Sequence, residues 1–171
     1  PPRRCRHPRH RGGRLLIRAA QQKTIPIVNY NDPVSDEENR KMELAIRRSH
    51  GDQVVECVDN DETAAVIANL VHAKKLVLMT STEGIYRDPA DPKTLVEQVT
   101  AKSMEELEEK VRQLQESCVG ASRAGANGAK AKLEYALKSA RQGTMVIIGH
   151  ARHRLSDLVE GRVACTRIGL E

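Results

Sequence analysis

The chain has 171 residues, of which 39% are hydrophobic and 30% charged, a composition typical of one ordinary globular domain with a sizeable core. Its net charge of +5 comes from the first 24 residues, which contain seven Arg, one Lys and no acid, whereas the rest has 20 basic and 23 acidic side chains. Nucleic acid is therefore not an expected partner, and because no apolar run approaches the roughly 18 residues that span a bilayer, we expect no membrane segment either. The arginine-rich start also lacks the apolar region of a signal peptide, which favours a cytoplasmic protein.

Residues 1–20 are predicted to form a basic, disordered tail, because residues 1–13 are rich in Arg, His and Pro and poor in apolar side chains. One domain is predicted over residues 21–171. An amphipathic helix ends over residues 15–22, and TIPIVN at 24–29 has the pattern of a short buried strand. Ligands of open α/β sheets bind outside the carboxyl ends of the strands, so Asn29, Asn31 and Asp32 are candidate ligand-binding residues.

The region 33–58 is polar, with a possible helix over 37–48 and a weak strand pattern over 53–58, and it points to no function. Asp59, Asn60 and Asp61 then precede an apolar helix over 62–72. Asp and Asn are favoured at helix N-termini, but three in a row exceed what one cap needs. Such a cluster could also hold Mg²⁺ indirectly, orient lysines or bind the ammonium group of a substrate.

Alternating strands and helices follow. KLVLM at 75–79 is predicted to be a buried strand that ends in the turn 80–84, and a second strand is predicted over 95–99. Ser103 and Glu106 form a capping box at the start of the next helix. A further helix over 129–141 ends at Gly143, and a strand over 144–148, a helix over 155–160 and a strand near 162–166 complete the chain. This order predicts a three-layer αβα sandwich with a mainly parallel sheet.

GANGAKAK at 125–132 opens one of these helices. Glycines let a backbone approach a ligand closely, the unpaired amides of a helix N-terminus attract anions, and lysines add charge for phosphate oxygens. The segment therefore suits a nucleotide phosphate, although a flexible connection has the same composition. His150, Arg152, His153 and Arg154 form a second basic cluster, which is either an anion-binding patch or a solvated turn.

Several common signatures are absent from the sequence. The four cysteines form no Cys-x-x-Cys pair, which argues against zinc and a redox dithiol, and no metal ligands are assigned. There is no G-x-x-x-x-G-K-[ST], no G-x-G-x-x-G after a strand and no G-x-S-x-G. The common phosphate-loop, dinucleotide-binding and hydrolase interpretations are therefore excluded.

Taken together, the motifs resemble the amino acid kinase superfamily, and within it the glutamate 5-kinases. The resemblance runs from about residue 20 to the C-terminus and rests on five motifs in order: TIPIVNYND at 24–32, DND at 59–61, LVLMTSTEGIY at 76–86, GANGAKAK at 125–132 and DLVEG at 157–161. It implies an ATP- and Mg²⁺-dependent phosphorylation of the side-chain carboxylate of L-glutamate, the first step of proline synthesis, by a homo-oligomeric enzyme.

The resemblance also implies roles for individual residues. Asn29, Asp32 and Asn60 would contact glutamate, Asp61 would organise the catalytic lysines, and Lys132 would stabilise the charge on the transferring phosphoryl group. The nucleotide would be bound by the end of one strand and by the glycine-rich loop: Thr80, Ser81, Gly125, Ala126, Asn127, Gly128, Ala129, Lys130, Ala131 and Lys132.

The chain departs from the family pattern at several points. Ser81 replaces an Asp, Asn127 replaces a Gly, Ala129 and Ala131 replace Met and Thr, and no counterpart of the family's first strand, Lys and glycine-rich loop precedes residue 24. The N-terminal part of the fold is therefore expected to be missing. Two alternatives remain open: a kinase-fold remnant that binds a nucleotide without catalysis, and a superfamily member with another acceptor, such as a uridylate kinase.

Overall fold

The computed structural model describes residues 11–28, 60–88, 90–117 and 128–171. The chain divides into two compact units, residues 1–71 and 72–171, which are described separately below. No helix in the described part of the chain is both long and apolar enough to cross a membrane.

The first unit contributes two helices, α1 (Arg11–Gln21) and α2 (Asn60–Leu70). Helix α1 begins within the predicted tail. It ends in a left-handed residue, Lys23 (φ 55°), and the Thr24 N–H donates to the Ala19 carbonyl at 3.0 Å. This pattern closes the last turn by satisfying a terminal carbonyl group of the helix. Helix α2 starts two residues before the predicted 62 and ends two residues before the predicted 72.

The prediction of a strand over 24–29 is wrong for residues 24–28, which are the part of this range that the structure describes. Residues 24–28 have no regular structure, and Ile25 and Ile27 are 90% and 95% exposed. An apolar run becomes a strand only where a neighbouring strand accepts its hydrogen bonds, and none of the described strands pairs with this segment. Asn29, the predicted helix over 37–48 and the predicted strand over 53–58 lie outside the described residues.

The second unit is built on a four-stranded sheet in the order β1 (Lys75–Thr80), β5 (Met145–His150), β6 (Thr166–Leu170) and β4 (Gln98–Ala101). β1 pairs with β5 in parallel, β6 is antiparallel to β5, and β4 is parallel to β6. Two of the three pairings are therefore parallel. A small antiparallel hairpin joins β2 (Ile85–Tyr86) to β3 (Leu95–Val96).

Helices cover both faces of this sheet. Ile147 on β5 packs against Leu158 of α5 (Leu155–Glu160). Val146 and Ile148 are also fully buried, and because side chains alternate along a strand they point to the opposite face. That face is packed by α4 (Gly128–Ala140), which contacts β5 and β6. The layered α/β class predicted from the alternation is confirmed.

Two strand predictions need correction. The strand predicted over 95–99 is two strands, because β3 belongs to the hairpin and β4 to the main sheet. The final strand lies at Thr166–Leu170 instead of 162–166. Arg162 instead ends the turn after α5, where its N–H donates to the Asp157 carbonyl at 2.9 Å. The register of β6 is set by its two neighbours, a constraint that the local sequence does not contain.

Helix α3 (Met104–Ser117) begins at the predicted capping box. The Glu106 N–H donates to Ser103 Oγ at 3.2 Å, and the Glu106 carboxylate accepts from the Lys102 N–H at 3.3 Å. Lys110 lies 2.7 Å from the same carboxylate. The hydrogen bond from Lys110, followed by that from the Lys102 backbone, lowers the pKa of Glu106. The buried face of α3 consists of Leu107, Val111 and Leu114.

Candidate functional site

One edge of the four-stranded sheet collects the chain segments that carry polar side chains. β1 and β5 are parallel and in register up to Thr80 and His150, so their carboxyl ends lie side by side. In open α/β sheets this is where ligands bind. We call the edge at Thr80 and His150 the carboxyl edge. Because β6 is antiparallel to β5, its first residue, Thr166, lies at the same edge.

The N-terminus of α4 also points toward the carboxyl edge. A short turn over residues 141–143 joins α4 to β5, so the two elements run in opposite directions. Thirteen helical residues span about 20 Å, which matches the about 20 Å of a six-residue strand. The beginning of α4 therefore lies near the level at which β5 ends.

The first turn of α4 has the properties of an anion site. It contains no acidic residue, and Gly128 has φ 59°, a backbone conformation that glycine adopts without strain. Lys130 is exposed, Ala131 is buried, and Ala129 and Lys132 are half-buried. The unpaired N–H groups of a helix N-terminus attract anions, and a lysine in the same turn strengthens this attraction. Gly125, Ala126 and Asn127 lie outside the described residues.

The turn after β1 presents Ser81 and Thr82 on an exposed surface and is fixed at both ends. At its start the Thr80 carbonyl accepts from the Ala151 N–H at 2.8 Å. At its end the Ile85 N–H donates to Thr166 Oγ1 at 2.8 Å, and this bond is buried. The predicted nucleotide contacts Thr80 and Ser81 are therefore held at the carboxyl edge.

The basic cluster after β5 is bound to this turn. His153 Nε2 lies 2.6 Å from Glu83 Oε2, and the Arg152 guanidinium binds the other oxygen of the same carboxylate. His150 Nδ1 accepts from the Arg152 N–H at 3.0 Å, which closes the loop locally. Two of the four residues, Arg152 and His153, are thus paired with an acid, and the side chains of Arg152 and Arg154 are exposed. The acidic partner, Glu83, was not identified from the sequence.

The other predicted site residues lie in the first unit or outside the described residues. Asn60 and Asp61 are the first two residues of α2, in the first unit. Asn29 and Asp32, the predicted substrate contacts, lie outside the described residues. The structure therefore places the described nucleotide contacts on β1 and α4 at the same end of the sheet, and the substrate contacts stay predictions.

A groove of about 570 Å³ opens between the β2–β3 hairpin, β4 and α3. Val96, Val99 and Leu114 form its apolar part, and most of the other lining residues are polar, among them Arg87 and Gln98. It extends to Ser117, the last described residue before the glycine-rich segment. No predicted site residue lines this groove. The sequence did not indicate it, because its lining residues come from four separate elements and form no local motif.

Comparison with known proteins identifies relatives across most of the chain. The model of the amino acid kinase family matches residues 6–150. A glutamate 5-kinase from Geobacillus kaustophilus is 33% identical over 149 residues, which are 85% of this chain and 34% of the relative. Glutamate 5-kinase 1 from Bacillus subtilis is 29% identical over 157 residues, 90% of this chain and 37% of the relative. The chain thus spans about a third of the length of these relatives.

Two further similarities are more limited. An acetylglutamate kinase from Methanopyrus kandleri is 46% identical over 59 residues, 34% of this chain. Among solved structures, a carbamate kinase from Giardia lamblia bound to AMP-PNP superposes with a TM-score of 0.50 at 20% identity, covering 70% of this chain and 34% of that one. At this identity the superposition shows a shared fold.

Proposed function

Because the chain belongs to the amino acid kinase family, we propose that it is the nucleotide-binding part of a kinase that transfers a phosphoryl group from ATP to the side-chain carboxylate of L-glutamate. The product would be an acyl phosphate, glutamyl 5-phosphate. The relatives that support glutamate as the acceptor are glutamate 5-kinases at 29–33% identity. A role in proline synthesis, a cytoplasmic location and a homo-oligomeric state belong to the same proposal.

The observation that carries the proposal is the convergence of two elements at the carboxyl edge. The N-terminus of α4, with Gly128 and two lysines, points toward the edge at which the Thr80–Ser81 turn is fixed. Phosphoryl transfer depends mainly on positioning and on positive charge around the phosphates. A glycine-bearing helix N-terminus with Lys130 and Lys132 supplies both.

Each part of this arrangement has a role in the proposal. The backbone amides at the start of α4 would bind the phosphates, and Lys132 would stabilise charge that develops on the transferring group. Thr80 and Ser81 would border the nucleotide. Its base would occupy the groove, where Val96, Val99 and Leu114 would pack on a purine ring and polar side chains such as Gln98 and Gln113 could bind its edge.

Asn29, Asp32 and Asn60 would contact glutamate, and Asp61 would orient the lysines. Mg²⁺ would accompany the nucleotide. Within the described ranges no group of three or more His, Cys, Asp or Glu side chains could hold a metal ion. We propose that this Mg²⁺ ion would be bound mostly by phosphate oxygens and water, as is usual for nucleotide enzymes.

Acyl phosphate formation can be trapped chemically. The purified chain would be incubated with ATP, Mg²⁺ and L-glutamate in the presence of hydroxylamine, which converts an acyl phosphate into a coloured hydroxamate. We expect an ATP- and glutamate-dependent signal well below that of a full-length glutamate 5-kinase control, because the chain contains no counterpart of the family's N-terminal Lys and glycine-rich loop.

The same preparation distinguishes the alternatives. Strong turnover of a nucleoside monophosphate without turnover of glutamate would show that the phosphoryl acceptor is a nucleotide and not glutamate. ATP binding without any turnover would support a non-catalytic nucleotide-binding protein. If ATP neither binds nor is consumed, the proposed function is wrong.

A further inference from the structure

Glu83 connects the two loops that leave the carboxyl edge. It lies in the turn after β1, and its carboxylate is bound by Arg152 and His153 in the loop after β5, about seventy positions further along the chain. The side chain of Glu83 is only 16% exposed and that of His153 only 20%. We call the three residues Glu83, Arg152 and His153 the loop clasp.

The burial of Glu83 makes the clasp more than a surface ion pair. A carboxylate that is shielded from water needs hydrogen-bond partners that replace its hydration. The 2.6 Å contact with His153 is short, as expected for a hydrogen bond to a charged group. Arg152 is 64% exposed and contributes less, because solvent screens its charge. The Glu83–His153 contact is therefore the main side-chain connection between the two loops.

The clasp acts on the residues that face solvent at the carboxyl edge. The turn is fixed at Thr80 by a backbone hydrogen bond from Ala151 and at Ile85 by a hydrogen bond from its N–H to the Thr166 side chain. Between these points Ser81 and Thr82 are exposed, and the one hydrogen bond that the structure gives their hydroxyls is from Thr82 Oγ1 to the Gly84 carbonyl at 3.0 Å. Glu83 is thus the residue of this stretch whose side chain bonds to the loop after β5.

We propose that Glu83 is a positioning residue for the nucleotide: through His153 it holds the turn at Thr80 and Ser81 in the conformation that borders the bound ATP. This inference rests on the proposed function, because a positioning role requires that a nucleotide binds next to this turn. Glu83 itself does not touch the nucleotide. Its carboxylate is already occupied by Arg152 and His153.

The test compares nucleotide affinity in matched variants by calorimetric titration of ATP with Mg²⁺. Glu83→Gln keeps the size of the side chain and removes its charge, and we expect it to weaken ATP binding about tenfold. Glu134→Gln removes a charge from an exposed carboxylate on α4 that pairs with Lys138 in the same helix, so ATP affinity should not change.

Three further variants separate positioning from general stability. Leu107→Val shortens a fully buried side chain near the start of α3 and should lower Tm without changing ATP affinity at temperatures where the protein is folded. His153→Gln alone should weaken ATP binding about as much as Glu83→Gln, and the two substitutions combined should weaken it no more than Glu83→Gln alone, because both break the same contact.

The outcomes are distinguishable. If the unmodified chain does not bind ATP, the proposed function fails, and this inference fails with it. If the unmodified chain binds ATP and Glu83→Gln binds it equally tightly, the positioning role is overturned while the proposed function stands. Fully additive losses from Glu83→Gln and His153→Gln would also overturn it, because they would show that the two residues act separately.

Discussion

Replacing Lys132 by Met is expected to weaken ATP binding about 10- to 100-fold, which corresponds to the loss of one hydrogen bond from a charged group. Lys132 lies in the first turns of α4, and its side chain is half-buried. Met preserves the length and the apolar stem of the side chain, so the helix should remain folded. The measurement is a calorimetric titration with ATP and Mg²⁺.

The matched control for Lys132 is Lys138→Met on the same helix. Lys138 is exposed, forms an ion pair with Glu134 at 2.9 Å, and lies in the last turn of α4, at the end away from the carboxyl edge. Its replacement should leave ATP affinity unchanged. Equal losses from both variants would mean that lysines act through the overall charge of the helix, and no loss from Lys132→Met would remove this residue from the phosphate site.

The second large effect is expected from Gly84→Ala, which should lower the free energy of unfolding by about 2–3 kcal/mol, the typical cost of overpacking. A Cβ at this position would collide with Thr166 Oγ1 and would lie 2.9 Å from the Thr166 backbone nitrogen. The turn would have to move away from β6, and the buried hydrogen bond from the Ile85 N–H to Thr166 would be lost. Urea unfolding monitored by circular dichroism measures the change.

A double variant tests whether the collision with Thr166 is the cause. Thr166→Ala alone removes the acceptor of the Ile85 N–H and should destabilise the protein, but it also makes space for the new Cβ. The combined variant should therefore lose less stability than the sum of the two single variants. Ser81→Ala, at an exposed position of the same turn, should change stability by less than about 0.5 kcal/mol. If the stability losses of Gly84→Ala and Thr166→Ala are strictly additive, the collision with Thr166 is not the cause of the loss in Gly84→Ala.

Local sequence signals predicted much of the second unit. KLVLM and TMVII are apolar runs of strand length, and the observed β1 and β5 begin within one residue of them. Ser103 and Glu106 form the expected cap at the start of α3. These features depend on residues that are close in the sequence, and for that reason periodicity and capping patterns could find them.

Features that depend on distant residues could not be predicted in this way. The start of β6 is set by its pairing with β4 and β5, and the apolar residues at 163–165 gave a misleading local signal. Ile25 and Ile27 have a strand-like pattern, but the described strands offer no partner for it. The contact between Glu83 and His153 spans 70 positions. The sequence signal that could have indicated this contact was an acidic residue in the loop after one strand and a basic cluster in the loop after a second strand.

The central claim is that ATP binds at the carboxyl edge, between the N-terminus of α4 and the turn after β1. The most direct measurement is a backbone amide NMR spectrum of the isotopically labelled chain during titration with ATP and Mg²⁺. We predict the largest shift changes at Gly128, Lys130, Lys132, Thr80 and Ser81, where the phosphates would bind, and at Val96 and Val99 in the groove that would hold the base. Changes should be small at the opposite edge, for example at Lys75 and Met145. Absence of shifts at saturating ATP concentrations, or shifts confined to residues away from both the carboxyl edge and the groove, would contradict the claim.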